Sequence, residues 1–271
     1  MSTLKQCYTT GVSPEDIAQF CILVGDPARA YRIVEQFDTI ECEKKNREYV
    51  TLTGMYQNIR LTVMGTGMGG ASTEMAIVEL TQCRPALTLI RCGSCGGLNE
   101  NTKLGDLVIS TAALRFENTS LDYADSWLPA IVHNDVFLAL MQAAAESGYP
   151  YHAGLTATMP SFYIGQGREV PPFQNRNQNI VQKLAVQKVI NMEMEASTLL
   201  TLSHLGGHRA GVICAVYAER TTNKFIKTSQ IMEAEQKCID VVLASILNLK
   251  RMDDEKGSSD FWQPGFQENN K

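Results

Sequence analysis

The sequence predicts an α/β domain on three observations. Short apolar, β-rich runs alternate with amphipathic helical stretches, glycine-rich turns follow several of those runs, and no internal repeat or linker divides the chain. The run 20–24 predicts a strand and 27–37 a helix, with Pro27 in its first turn. Runs 49–53 and 59–64 flank Gly54 and predict a hairpin. A glycine loop at 65–70 leads into a helix from about 72 to 83. A strand at 87–90 is followed by a second glycine loop at 93–97. Runs 107–111 and 151–158 predict strands on either side of a helix around 129–147. The stretch 166–178, rich in Gly, Pro, Asn and Gln, reads as a long loop or flap. Strands at 189–192 and 212–216 bracket a helix from about 195, and 229–249 is a closing helix. Residues 1–251 thus form one domain, with 252–271 as an acidic polar tail in which Phe261, Trp262 and Phe266 can dock on the body.

Composition narrows the function classes. With 44% hydrophobic residues among 271, the chain can bury a sizeable core. Twenty-four Lys and Arg against 29 Asp and Glu give a net charge of −5, a poor match to nucleic-acid backbones. No apolar run approaches the length of a membrane span, and the first residues lack the pattern of a secretory signal. The eight cysteines are scattered, several within apolar runs, and a chain of this length needs no disulfide staples. A cytoplasmic location with reduced thiols is the expectation.

Two motifs mislead. Gly65-Thr-Gly67-Met-Gly-Gly70 satisfies the dinucleotide fingerprint, but the next strand, ending Leu89-Ile90-Arg91-Cys92, lacks the acid that would hold a ribose. Cys92-Gly-Ser-Cys95 has redox spacing, yet Gly96 and Gly97 follow where a thioredoxin-like motif opens a helix. A tight loop of small residues is the better reading. The four histidines, His133, His152, His204 and His208, form no cluster.

The chemistry concentrates in loops placed after strands. Gly25-Asp26-Pro27-Ala28-Arg29 opens a helix, where backbone N–H groups and the helix dipole favour an anion and Arg29 can reach back. Arg91-Cys92-Gly93-Ser94 adds a second guanidinium and a hydroxyl at a strand end, where ligands of open α/β sheets gather. Taken singly, each arginine is more simply a solvated surface residue.

The order of these segments resembles the nucleoside phosphorylase family, closest to its uridine phosphorylase branch. The resemblance runs from about Gly11 to Leu247. Its landmarks are Gly25-Asp-Pro-x-Arg29, Arg47-Glu48-Tyr49, the loop 65–73, Arg91-x-Gly-Ser94-x-Gly96, Gly105-Asp106, Phe162-Tyr-x-Gly-Gln166-x-Arg168 and Glu193-Met194-Glu195. It implies a mixed, partly barrel-like β-sheet flanked by helices. It also implies phosphorolysis, with phosphate held by Gly25, Arg29, Arg91 and Ser94 and by Arg47 of a neighbouring subunit. Arginine suits this role because its planar fork binds phosphate oxygens in pairs and keeps its charge. Glu193, Met194 and Glu195 would hold the ribose, Glu195 accepting from its hydroxyls. Phe162, Gln166, Arg168 and Arg220 would hold the base, Phe162 by stacking and Arg168 by steadying the leaving anion. Arg29, Arg91, Glu195 and Arg168 would carry the chemistry.

The resemblance further implies a homo-oligomer with shared sites, a dimer at minimum. It implies no cofactor beyond inorganic phosphate as co-substrate, and no metal requirement, although Glu48 and Ser72 match positions that hold a monovalent cation in some relatives. Purine-cleaving relatives carry an Asp near the last strand, where this chain reads Val216-Tyr217-Ala218-Glu219-Arg220. A purine nucleoside phosphorylase is therefore the first alternative, ahead of an inactive nucleoside-binding homologue and a nicotinamide oxidoreductase. In one respect the chain departs from its relatives. Where they place an N-terminal His on the nucleoside 5′-hydroxyl, it reads Tyr8-Thr9-Thr10-Gly11, and the usual Thr-Thr-Gly is Ser94-Cys95-Gly96.

Overall fold

The computed structural model describes residues 6–263. In chain order the elements are β1 (Phe20–Val24), α1 (Pro27–Val34), β2 (Thr39–Asn46), β3 (Tyr49–Tyr56), β4 (Ile59–Gly65) and α2 (Gly70–Cys83). Next come β5 (Thr88–Gly97), β6 (Leu107–Arg115), β7 (Ala130–Ile131), α3 (Asn134–Ser147) and β8 (Tyr151–Thr158). The chain continues with α4 (Ile180–Val186), β9 (Val189–Glu193), α5 (Ala196–Leu205), β10 (Arg209–Glu219), β11 (Lys224–Phe225) and α6 (Thr228–Lys256).

Among the described residues, all named strands join one mixed sheet, in the order β11-β10-β6-β8-β9-β5-β1-β4-β3-β2 with β7 on β6. An additional parallel pairing of β5 with β10 closes β5, β10, β6, β8 and β9 into a five-stranded barrel. Alternation along β1 explains the helices on both faces. Ile22 and Val24 join the core under α1, α3 and α6, whereas Cys21 and Leu23 join the core under α2 and α5. Among the described residues, no helix is long and apolar enough to cross a membrane.

The second glycine loop expected at 93–97 is instead the far half of β5. Its first residues pair with β1 as far as Arg91, and Gly96 and Gly97 pair with β9 while β10 runs alongside throughout. The strand leaves the open sheet and turns into the barrel there, and small residues let it do so. A Cβ on Gly96 would lie 2.7 Å from Cγ of Arg220. Cys92 and Cys95 are both buried, unbridged thiols in this strand, and Cys92 Sγ lies 3.4 Å from Cys238 rather than against Cys95.

The hairpin turn also moves. Gly54 lies inside β3, and the chain reverses at Gln57 and Asn58, both in the left-handed region. The cause is β2, which sequence patterning missed because its alternation is weak and its face exposed. Its pairing slips between Ile40 and Cys42, which presses the Thr39 carbonyl against Gly54. A Cβ on Gly54 would sit 2.0 Å from that oxygen. Gly54→Ala is therefore expected to destabilise the fold by about 1–3 kcal/mol, measured by urea denaturation; an unchanged midpoint would contradict the packing described.

The closing helix runs on through Lys256, so the first residues of the stretch that composition assigns to the tail are helical. Met252 is buried, and Asp253 accepts two hydrogen bonds from Arg209 at 2.6 and 2.8 Å. Trp262 packs on the larger core and donates its backbone N–H to Asp135, and Phe261 stacks on His133. Phe266 lies outside the described residues.

Candidate active site

A cavity of about 590 Å³ opens at the carboxyl ends of β1 and β5 and the mouth of the barrel. Its wall includes Gly25, Arg29, Arg91, Ser94, Phe162, Gln166, Arg168, Glu193, Met194 and Glu195. Three of the sequence-predicted residues, Arg47, Ser72 and Arg220, are not on that wall.

Arg29 and Arg91 meet because β1 and β5 are parallel neighbours, with Leu23 in register with Arg91. Arg29 sits in the first turn of α1, whose N-terminus is capped by Asp26 accepting from the Ala28 N–H at 2.9 Å. Its Nε donates to Glu235 at 2.7 Å, Nη1 to the Cys92 carbonyl at 2.9 Å and Nη2 to the Tyr217 hydroxyl at 3.3 Å. A Cβ on Gly25 would meet only ordinary contacts, 3.4 Å from the Gly67 carbonyl and 4.0 Å from Arg91 Nη1.

Arg91 donates to Glu193 at 3.1 Å and to Glu195 through Nη2. Glu193 is held on every side, accepting from the Thr158 hydroxyl at 2.7 Å and from the backbone N–H groups of Glu195 and Ala196 that open α5. Burial pushes the Glu193 carboxyl above its ordinary range despite the adjacent Arg91, and the Glu195 charge adds to that push. Glu195 also accepts from the Gly69 N–H at 2.5 Å. The loop that imitates a dinucleotide fingerprint thus turns a backbone N–H toward a carboxylate of its own chain.

The second cluster is aromatic and cationic. The Arg168 guanidinium lies 3.9 Å from the centre of the Phe162 ring and 5.6 Å from that of Phe225, and it donates to Gln166 Oε1 at 2.5 Å. Arg220, behind the wall, donates to the Gln166 carbonyl at 2.8 Å and to Asn223. Among the described residues, Arg168 and Arg220 have no carboxylate partner, and the Nε of each is buried without a hydrogen-bond acceptor. Burial and the Arg220 charge push Arg168 down to about 10. The Arg168 guanidinium over a flat apolar face, with Arg220 behind it, suits an electron-rich aromatic ring that gains negative charge.

Arg47 stands on the exposed β2–β3 turn in the left-handed region, its guanidinium 5.6 Å from the ring of Tyr8. Tyr8 is itself exposed, while the Thr9 and Thr10 N–H groups are tied to Glu79 at 2.7 Å each. Glu48 reaches the cavity and, with Ser72, flanks Gly67. The Ser72 hydroxyl donates to the Met68 carbonyl. Among the described residues, no group of three or more His, Cys, Asp or Glu is gathered as for a metal ion.

Sequence reasoning missed Tyr217, Phe225 and Glu235. The first two come to the cavity only because β10 and β11 pair beside β5. For Glu235 a signal existed: it is an acid on the apolar stripe of a helix, with Ala234, Cys238, Ile239 and Val242 all in the core.

The geometry defines an arginine-rich cavity on a barrel-closed α/β sheet. Residues 19–247 match the phosphorylase superfamily. The chain is 40% identical to the uridine phosphorylase of Thermococcus kodakarensis, over 96% of this chain and 93% of that one. It is 32% identical to the guanosine phosphorylase of Halorubrum lacusprofundi, over 76% and 80%. The crystal structure of uridine phosphorylase from Vibrio fischeri superposes with a TM-score of 0.78 at 24% identity, covering 92% of this chain and 98% of that one, a likeness of fold. The chain belongs to the phosphorylase superfamily.

Proposed function

We propose that this protein is a uridine phosphorylase, a pentosyltransferase that converts uridine and inorganic phosphate reversibly into uracil and ribose 1-phosphate. The observation that carries the reading is one cavity holding both Arg29 from α1 with Arg91 from within β5 and the Phe162–Gln166–Arg168 cluster, with Glu193–Glu195 on the same wall. Gly25, Arg29, Arg91 and Ser94 hold phosphate beside C1′, and Glu195 accepts from the ribose hydroxyls with Met194 against the sugar. A phosphate oxygen forms the bond to C1′ as the C1′–N1 bond breaks and its electron pair passes to the base. Arg168 and Gln166 stabilise the uracil anion, which then takes a proton from solvent. The ribose is oxocarbenium-like at the transition state, so fixed negative charge nearby and a held sugar lower the barrier. Phosphate is the only co-substrate in this scheme, and no cofactor enters it. A monovalent cation near Glu48 and Ser72 would be structural.

The reading includes an oligomer, at least a homodimer, in which Arg47 completes the neighbour's phosphate site. Charge supports this. The cavity wall carries Arg29, Arg91 and Arg168 against Asp26, Glu48, Glu193 and Glu195, so a phosphate dianion needs a further cation. The exposed Arg47, away from its own cavity, is suited to supply it. The setting is pyrimidine salvage in the cytoplasm.

The test is phosphate-dependent release of free base from uridine, thymidine and inosine, assayed separately. Uracil from uridine is expected, and its absence at saturating phosphate would refute the assignment. Cleavage of inosine alone would establish the second reading, a purine substrate, which the guanosine phosphorylase relative favours. Against that reading, Glu219 bonds Thr222 at 3.0 Å and does not line the cavity.

A further inference from the structure

Glu235 lies outside the landmarks that align this chain with its relatives and does not line the cavity. Nonetheless it organises the phosphate side. It is nearly fully buried, at 3% exposure, and its carboxylate bridges two arginines. Oε2 accepts from Arg29 Nε at 2.7 Å, and Oε1 accepts from Arg32 Nε. Arg32 in turn donates to Asp26 at 3.1 Å, and Asp26 caps α1 at the cavity edge. The Tyr217 hydroxyl stands between Arg29 and Glu235, at 3.3 and 3.4 Å. These contacts form a closed ring from Asp26 through Arg32, Glu235 and Arg29 back to the turn that carries Gly25. An arginine buried to 5% exposure needs such a partner, because an unpaired charge there costs several times a surface one.

We propose that Glu235 is a positioning residue for the phosphate site. From α6 it engages Arg29 through Nε, so that the N–H groups left on Nη1 and Nη2 face the co-substrate anion in one orientation. The proposal rests on the phosphorylase reading for the identity of that anion. Two effects of removing the Glu235 charge oppose each other. Loss of a negative group raises the local positive potential and would tighten phosphate binding. Loss of the tether frees Arg29 to rotate and weakens it. The tether is expected to win, because a paired, oriented arginine loses little entropy per hydrogen bond it forms.

In Glu235→Gln the KM for phosphate is expected to rise about tenfold, with the KM for uridine changed by less than about twofold. Glu235→Asp, which keeps the charge on a shorter arm, should recover part of the loss. Inorganic phosphate should also raise the melting temperature of the variant less than that of the parent protein, a readout that requires no turnover. A lower or unchanged phosphate KM in the folded variant would overturn the proposal, as would equal losses for both substrates. Should Glu235→Gln fail to fold, Glu235→Asp and Tyr217→Phe carry the test, each expected to raise the phosphate KM by about threefold and overturning it if unchanged. Absence of uridine cleavage in the parent protein would refute the functional reading instead, while the phosphate-induced melting shift would still test Glu235.

Discussion

Arg91→Ala is expected to reduce phosphorolysis by about 10²–10³-fold and to lower folding stability by about 3–5 kcal/mol. Both losses follow from one guanidinium serving two purposes. It faces the proposed phosphate position, and it is the cation between two buried acids, bonded to Glu193 and Glu195. Among the described residues, Glu195 without it keeps only the Gly69 N–H, and Glu193 keeps Thr158 and the opening turn of α5. Two largely buried carboxylates then lie close together with no Arg91 between them. The pH dependence has a definite sign. Glu193 is already pushed up by burial in the intact protein, and loss of Arg91 pushes it further. A carboxyl raised in the folded state binds its proton there in preference to the unfolded chain. Its contribution is full below the unfolded carboxylate range and is lost as pH rises through the folded value. The stability deficit of Arg91→Ala should therefore be largest near about pH 8 and narrow toward about pH 5, as read by urea unfolding at the two values. A deficit independent of pH would mean that the acids are not the source.

Arg168→Ala is expected to reduce uridine turnover by about 10²-fold, whereas Cys95→Ala should stay within about threefold of the parent enzyme. The two residues line the same cavity, so the comparison separates chemistry from packing. Arg168 brings a charge with no carboxylate partner among the described residues to the face of Phe162, where the leaving base would gain its negative charge. Cys95 is a buried thiol in β5, and its removal leaves a small void. Steady-state rates on uridine at saturating phosphate decide the matter. Equal losses, or a loss confined to the cysteine, would point to thiol chemistry and against the scheme proposed.

Much of the site was legible as short motifs, and the reason is local. Gly25 to Arg29 and Glu193 to Glu195 each span a strand end and a helix start, so neighbouring residues carry both the turn and the ligand group. Phe162, Gln166 and Arg168 likewise meet within one loop. Glu235 belongs to a different case. It lies 206 positions from Arg29, and only the docking of α6 brings the two together. A buried acid on an apolar helix stripe signals that a cation must come to it, but not which one.

The net charge of −5 says nothing of how the individual charges are paired. Arg29 and Arg91 do not simply wait for an anion; each is already neutralised by acids of its own chain. By itself the sequence determined an α/β alternation and the arginines and carboxylates of the site, although Arg91, expected at a strand end, lies inside β5; period, turn chemistry and residue type are local properties, whereas the length of β5 is not. Only the tertiary structure decided that Gly93–Gly97 is a barrel corner rather than a loop, that Gly54 lies under a slipped strand, and that Glu235 aims Arg29. Each of those depends on which distant backbone or side chain packs alongside, and packing is settled by burial across the whole core rather than by neighbours in the chain.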